Sequence, residues 1–240
     1  MMRATLLNRR KLLYFFGGVL LNVFALYAYN AGGYSAEVFV FWAISLGAIG
    51  AAWFRAERDG MTIEREDLVI LLLLLCCAIP LYLWRVYDVP VQVNTDEIHI
   101  GDYFEKAVTM PSPDLFGLSD YFDFPFFVFY FFGLIAKALG GVDFYHARMA
   151  HALSGALITI PAYMLFRLFW ERKYAVGATA VLMSNHALIA ISRMVSRNNV
   201  LAFNVCFALF FLLLGIKRKS PFYTFIGGVA AGLSFYQYPP

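Results

Sequence analysis

Three groups of side chains in this sequence have the types and spacing to do chemistry. Asp96 and Glu97 are adjacent carboxylates in the stretch Asn-Thr-Asp-Glu-Ile-His. At a helix N-terminus such carboxylates are held as anions by the helix dipole. One could accept a proton from an acceptor hydroxyl, or hold a divalent cation. They equally fit ordinary first-turn acids on a solvated face. Arg148 opens an apolar run, and Arg193 and Arg197 lie in the short turn at 192–199. A guanidinium fork matches phosphate, giving two parallel hydrogen bonds. These arginines fit either a phosphate site or ion pairs with nearby acids. Asp123, two residues before Pro125, could be a second acid, a metal ligand or a helix cap. His99, His146 and His151 lack ligand spacing and read as polar surface or interface residues. Cys76, Cys77 and Cys206 sit in apolar runs without metal or disulfide spacing.

The elements that position these groups are membrane helices. The 240 residues are 61% hydrophobic and 15% charged, with a mean hydropathy of +0.67. Soluble domains are about 45–50% apolar and about 25% charged. The net charge of +3 gives no case for a nucleic-acid partner. A span needs about 20 mainly apolar residues. Candidate runs are 12–29, 38–54, 68–84, 147–170, 175–191, 200–216 and 222–236. The expected fold is therefore an all-α, polytopic transmembrane helical bundle of about seven spans. It has one large outer loop containing juxtamembrane helices.

Orientation follows from Lys and Arg, which favour cytoplasmic loops. Arg3, Arg9, Arg10 and Lys11 place the N-terminus inside, and the basic 55–65 loop is inside too. The third span then delivers an acidic loop, 87–123, to the outer face. The apolar stretch 124–139 decides the rest. If it crossed, Arg167, Arg172 and Lys173 would land outside, as would Lys217, Arg218 and Lys219. It is also short and carries Lys137. It reads as an interfacial helix that does not cross.

Within the outer loop, Ile100, Tyr103, Phe104, Ala107 and Val108 form an apolar helical stripe opposite Asp102, Glu105 and Lys106. Such a helix is expected in the interface plane, capped by Asn94 with Glu97 completing a capping box. Asn185 and His186 fall inside a span and are expected to face the bundle interior. Pro161 lies mid-helix, which spans tolerate. Gly227, Gly228 and Gly232 offer a small-residue packing face.

The order of these features resembles a known group. An Asp-Glu pair opens the outer loop in NTDEIHIGDYFEKAV. An acid precedes the proline in YFDFPFFVFYFFGLIAKALGG. An Arg-led helix follows in ARMAHALSGALITIPAYMLFRLFWERK, then ISRMVSRNNVLAF, and the chain closes on GLSFYQYPP. This resembles the membrane glycosyltransferases of GT-C type, in the protein O-mannosyltransferase and aminoarabinose-transferase-like superfamily, over roughly residues 87–240. The resemblance implies inverting transfer of a sugar from a polyprenyl-phosphate donor to a lipid, glycan or protein hydroxyl on the outer face. It assigns Asp96 and Glu97 to catalysis, with Asp96 as the base. It assigns Arg148, Arg193 and Arg197 to the donor phosphate. Asp123 stands near a metal in some relatives, so a divalent cation is admitted without being required.

This chain differs from many relatives in having Phe124-Pro125 in place of His-Pro-Pro or Lys-Pro. It also has Asn198-Asn199 where an Asp often follows the Ser-Arg turn. Residues 1–66 would be two additional helices, and 67–240 a GT-C-like core with outer loop 87–146. Relatives continue past the point where this chain stops, so a fragment is expected. The implied location is the plasma (inner) membrane. Competing readings are a transporter or flippase for a lipid-linked or small solute, and a non-catalytic membrane subunit.

Overall fold

Helices follow the apolar runs closely. The computed structural model describes residues 2–32, 36–54, 63–88, 95–110, 117, 126–195 and 198–235. Among the described residues the regular structure is all α-helical. In order these are α1 (Met2–Gly32), α2 (Ala36–Trp53), α3 (Arg65–Leu83), α4 (Thr95–Thr109), α5 (Phe126–Ala138), α6 (Phe144–Leu157), α7 (Thr159–Arg167), α8 (Arg172–Met183), α9 (His186–Arg193), α10 (Asn198–Arg218) and α11 (Pro221–Phe235).

Arg9–Gly32, Arg65–Leu83, Phe144–Arg167 and Leu201–Arg218 are long and apolar enough to cross a bilayer, and α8 with α9 makes a fifth stretch bent by 53°. The other two expected spans fall on α2, with 18 residues, and α11, with 15. At about 1.5 Å per residue these reach about 27 and about 22 Å. Each lies beside a longer helix. Phe41 of α2 meets Phe24 of α1, and Thr224 of α11 meets Gly215 of α10. The chain is an all-α, polytopic membrane protein.

The two ends of the bundle differ in what meets there. At one end Asp67 accepts hydrogen bonds from Tyr163 Oη (2.5 Å), Arg167 Nε (3.0 Å) and Arg172 Nε (3.1 Å). Arg172 also pairs with Glu64 and Glu66. Lys217 Nζ donates to Leu168 O at 2.6 Å, and the rings of Phe54 and Phe222 lie 5.0 Å apart. The basic stretches around 167–173 and 217–219 therefore share this end.

At the other end α3 runs out into a turn where Tyr87 Oη donates to Met149 Sδ of α6 (2.9 Å). Arg193 of α9 donates to two carbonyls at the end of α3, Leu81 O (2.8 Å) and Tyr82 O (3.2 Å). Helix α3 leaves and α6 enters at this one end, so the chain between them makes no net crossing. That is the parity expected from the charge pattern, and the 13-residue α5 fits it.

The stripe on α4 is where expected, but it faces protein. Ile100, Phe104 and Ala107 are buried against Phe126, Phe129 and Phe132 of α5 and Ala147 and Ala150 of α6. Asp102, Glu105 and Lys106 are exposed. Whatever its place in the interface plane, the apolar face of this helix is covered by an aromatic surface that α5 supplies. The crossing requires Gly133, because a β-carbon there would lie 2.6 Å from Val108 Cγ1 and 2.8 Å from Phe104 O.

Two other expectations change. The run 175–191 is not one straight span. Asn185 turns its side chain to cap α9, accepting from Leu188 N at 3.1 Å, and both Asn185 and His186 are exposed rather than inward. A polar side chain that can bond its own backbone competes with the helix ladder in this way. Pro161 lies inside the 24-residue stretch Phe144–Arg167, as expected, and the hydrogen-bond ladder is interrupted just before it at Ile158, because proline offers no N–H to continue it. Of the three glycines on α11, only Gly227 meets α10, packing on Leu212; Gly228 and Gly232 face open space.

Helix α6 begins at a cap. Asp143 Oδ1 accepts from Tyr145 N (2.9 Å) and His146 N (3.0 Å), and lies 2.9 Å from His146 Nδ1. The His146 backbone N–H, aided by its ring and by Tyr145 N–H, holds the Asp143 carboxyl below its ordinary value of 3.8. A depressed carboxylate stabilises above the unfolded value and loses that contribution as pH falls through the folded one. Asp143→Ala should lower stability in detergent by about 0.5–2 kcal/mol at neutral pH. The gap from wild type should close as the pH is taken below 3.8, as followed by thermal unfolding. Single cysteines test the topology on a background with Cys76, Cys77 and Cys206 replaced. At Asp88 and Gly140 they should react with an impermeant maleimide from the same side of sealed vesicles. At Lys173 and Lys219 they should react from the opposite side. Labelling of 88 and 140 from opposite sides would mean that the intervening chain crosses.

Candidate active site

The first turn of α4 reaches toward the start of α6 at the end of the bundle opposite Asp67. Glu97 projects from that turn into the protein. Arg148 projects from the first turns of α6 to meet it. The guanidinium donates twice, Nη2 to Glu97 Oε2 at 3.0 Å and Nε to Oε1 at 3.2 Å. Both side chains are almost fully buried, at 1% and 2% exposure. Glu97 Oε1 also accepts the backbone N–H of Val195, just past α9, at 2.8 Å. The guanidinium carbon of Arg148 lies 4.7 Å from the Phe144 ring centroid. One carboxylate thus ties α4, α6 and the exit of α9 together.

A buried ion pair needs good geometry and further hydrogen bonds to offset desolvation. The two-point fork and the Val195 N–H supply both. Arg193, two residues earlier, is half-buried and spends two donors on the carbonyls of Leu81 and Tyr82. These are terminal α3 carbonyls with no partner within their own helix. Deeper along α6, His151 is stacked between Phe104 and Phe132, with ring centroids 5.4 and 4.0 Å away. Its Nδ1 donates to Ala147 O at 2.9 Å. The reading of His151 as a surface or interface residue is therefore corrected. A histidine can satisfy one nitrogen on the preceding helical turn and offer its ring faces to aromatics. His99 is exposed, and His146 belongs to the α6 cap.

The structure brings Glu97, Arg148 and Arg193 to one end. Asp96 lies one residue before Glu97 in α4, its side chain outside the described set. Asp123 and Arg197 lie outside the described residues, as does Asn94, the expected cap of α4. Among the described residues no group of three His, Cys, Asp or Glu could hold a metal ion. Ion pairing with nearby acids, one of the two readings open for the arginines, is what Arg148 does with Glu97; sequence reasoning did not single out that partner and missed the role of Val195. The available signal was weak: one acid on the buried stripe of α4 (Glu97, Ile100, Phe104) and one base on a small-residue face of α6.

A helical membrane bundle with a covering pair of helices at one end, pinned by a buried Glu–Arg pair, is the class defined by fold and site. Residues 123–240 match the family model described as dolichyl-phosphate-mannose-protein mannosyltransferase. That segment, which holds Arg148, Arg193 and Arg197, is thus similar to the mannosyltransferase-like membrane enzymes of GT-C type; Asp96 and Glu97 precede it. Among curated proteins none matches the chain, and no solved structure does either.

Breaking the pin should be expensive. Glu97→Gln leaves a buried guanidinium without its counter-charge, and should cost about 3–5 kcal/mol of stability. The double variant Glu97→Leu, Arg148→Met should lose less than Glu97→Gln alone, because no buried charge is stranded. Thermal unfolding of the purified protein in detergent measures both.

Proposed function

We propose that this protein transfers a sugar from a polyprenyl-phosphate donor to a hydroxyl acceptor, with inversion, at the end of the bundle that carries Glu97. The reading has that end outside the plasma membrane. The observation that carries it is the convergence of α4, α6 and the exit of α9 on one buried carboxylate. Three elements bearing acids and arginines are there held in fixed relation. The mannosyltransferase-like family match over 123–240 supports the glycosyl-transfer class.

The roles follow from what each side chain already does. Glu97 is engaged by Arg148 and Val195 N–H, so its part is to anchor α4. Asp96 is then the carboxylate assigned to the acceptor proton, a role worth about 10²–10⁴-fold in rate. Inversion needs the acceptor oxygen to attack the anomeric carbon from the face opposite the departing phosphate. The new glycosidic bond forms as the sugar–phosphate bond breaks, and the acceptor proton goes to Asp96. The phosphate leaves as an anion and is best met by fixed donors. Arg193 uses only part of its five-donor fork on α3, and the rest suits that anion. Arg197 stands four residues on. Arg148 supports the site through Glu97. Asp123 is retained as the candidate ligand if a divalent cation takes part, since a hard cation takes carboxylate oxygens.

One feature favours the transporter reading. The bend between α8 and α9 gives an interrupted span, as transporters often have. Against it, the buried ionic groups among the described residues sit at the two ends of the bundle. The test is transfer of labelled sugar from a synthetic polyprenyl-phosphate donor by membranes containing the full-length protein. Asp96→Asn should cut the rate by about 10²–10⁴-fold with normal expression. Arg193→Ala should raise the donor KM more than Asp96→Asn does. Unchanged transfer by Asp96→Asn would remove Asp96 from the chemistry.

A further inference from the structure

Ser192 is fully buried, at 0% exposure, and among the described residues its Oγ has no hydrogen-bond partner. Buried hydroxyls are almost always bonded, so this one needs a reason. The reason lies across the helix contact. A β-carbon on Gly155 of α6 would overlap both Oγ and Cβ of Ser192, and would lie 3.0 Å from Tyr82 Cε1. Helix α9 touches α6 here at backbone distance, and the hydroxyl is spent on shape rather than on a bond.

The contact closes a circuit. Gly155 lies seven residues after Arg148 on α6, two turns along the same face. Arg148 holds Glu97, Glu97 holds Val195 N–H, and Val195 follows Ser192 by three residues. Ser192 then returns to α6 at Gly155. Helix α9 has only eight residues and starts at a bend, so it has little length of its own to fix its end. A side chain at 155 would push Ser192 off α6 while leaving Arg148 in place. The two partners of Glu97 would separate, and Arg193 would move with the turn.

We infer that the Gly155–Ser192 contact is a positioning element that sets the turn carrying Arg193 and the Val195 N–H that holds Glu97. Gly155 and Ser192 act through those groups and are not themselves reacting ones. The inference rests on the reading of this end as the transfer site. Its geometric half can be judged without that reading.

The test is a cycle of Gly155→Ala, Ser192→Gly and the double variant in the full-length protein, with Ser192→Ala alongside. Thermal unfolding and sugar transfer are both read. Gly155→Ala should lower kcat by about 10–100-fold, the loss expected for misplacement near 1 Å, with a smaller change in acceptor KM. The double variant should recover most of kcat and of the unfolding temperature, because the methyl added at position 155 then fills the space that the Ser192 side chain vacated. Ser192→Ala keeps the β-carbon that meets Gly155, so it should lose less than Gly155→Ala. A folded double variant without recovery overturns the inference. So does a loss in Ser192→Ala equal to that in Gly155→Ala, which would put the hydroxyl to use. If wild type transfers no sugar, the functional reading fails. The contact is then decided by unfolding alone: recovery in the double variant upholds the coupling, and its absence overturns it.

Discussion

The arrangement of α4, α6 and the exit of α9 depends on one buried ion pair. Glu97 and Arg148 are 51 positions apart in sequence and meet with both carboxylate oxygens engaged. Burial of two charges is tolerable only with near-ideal geometry, and replacement by apolar residues is often neutral or stabilising. Stability alone is therefore a poor reason for this pair. What an apolar contact would lack is direction. A fork fixes the rotation of α4 about its own axis and its height above α6. The Val195 N–H extends that constraint to α9. The pair is thus best understood as a device for register.

The bilayer explains why the charged groups lie where they do. Ionisable side chains at mid-depth are costly, and those near the ends of spans are not. Asp67, Arg167 and Arg172 form a network at one end, and Glu97, Arg148 and Arg193 gather at the other. Between them the helices meet through alanine, methionine, aliphatic and aromatic side chains. The middle of the bundle sets distance, and the ends carry the charged groups. The exposed break at Asn185 is the exception, and there the chain satisfies its own backbone through a cap.

Much of the fold was legible because membrane helices announce themselves by composition. Lysine and arginine placement, with the shortness of the segment, led to the reading that 124–139 does not cross, and the meeting of Tyr87 with Met149 agrees with it. The stripe on α4 was legible from its spacing, but its partner was not. An apolar face at an interface can meet lipid or protein, and the pattern is the same for both. The breaks at Asn185 and Ile158 were harder to read. Hydropathy averages over a window and does not register a side chain that caps its own backbone. At the site, residue types pointed to Glu97 and Arg148 separately. Their pairing depends on the crossing of α4 over α6, a long-range fact that local spacing does not hold.

The proposed function separates two neighbouring acids by task. Asp96 and Glu97 look interchangeable in a sequence, and the family resemblance treats them as one motif. A carboxylate that accepts a bidentate guanidinium and a backbone N–H has little lone-pair capacity left for a substrate proton. A general base needs the reverse: a lone pair to spare, and access to the acceptor. Glu97 cannot meet both demands while it holds α4 in place. In the proposed function the proton therefore goes to the adjacent acid of the same turn, Asp96. Under that proposal two consecutive carboxylates divide what one alone could not do, since the group that fixes the helix and the group that takes the proton must be different.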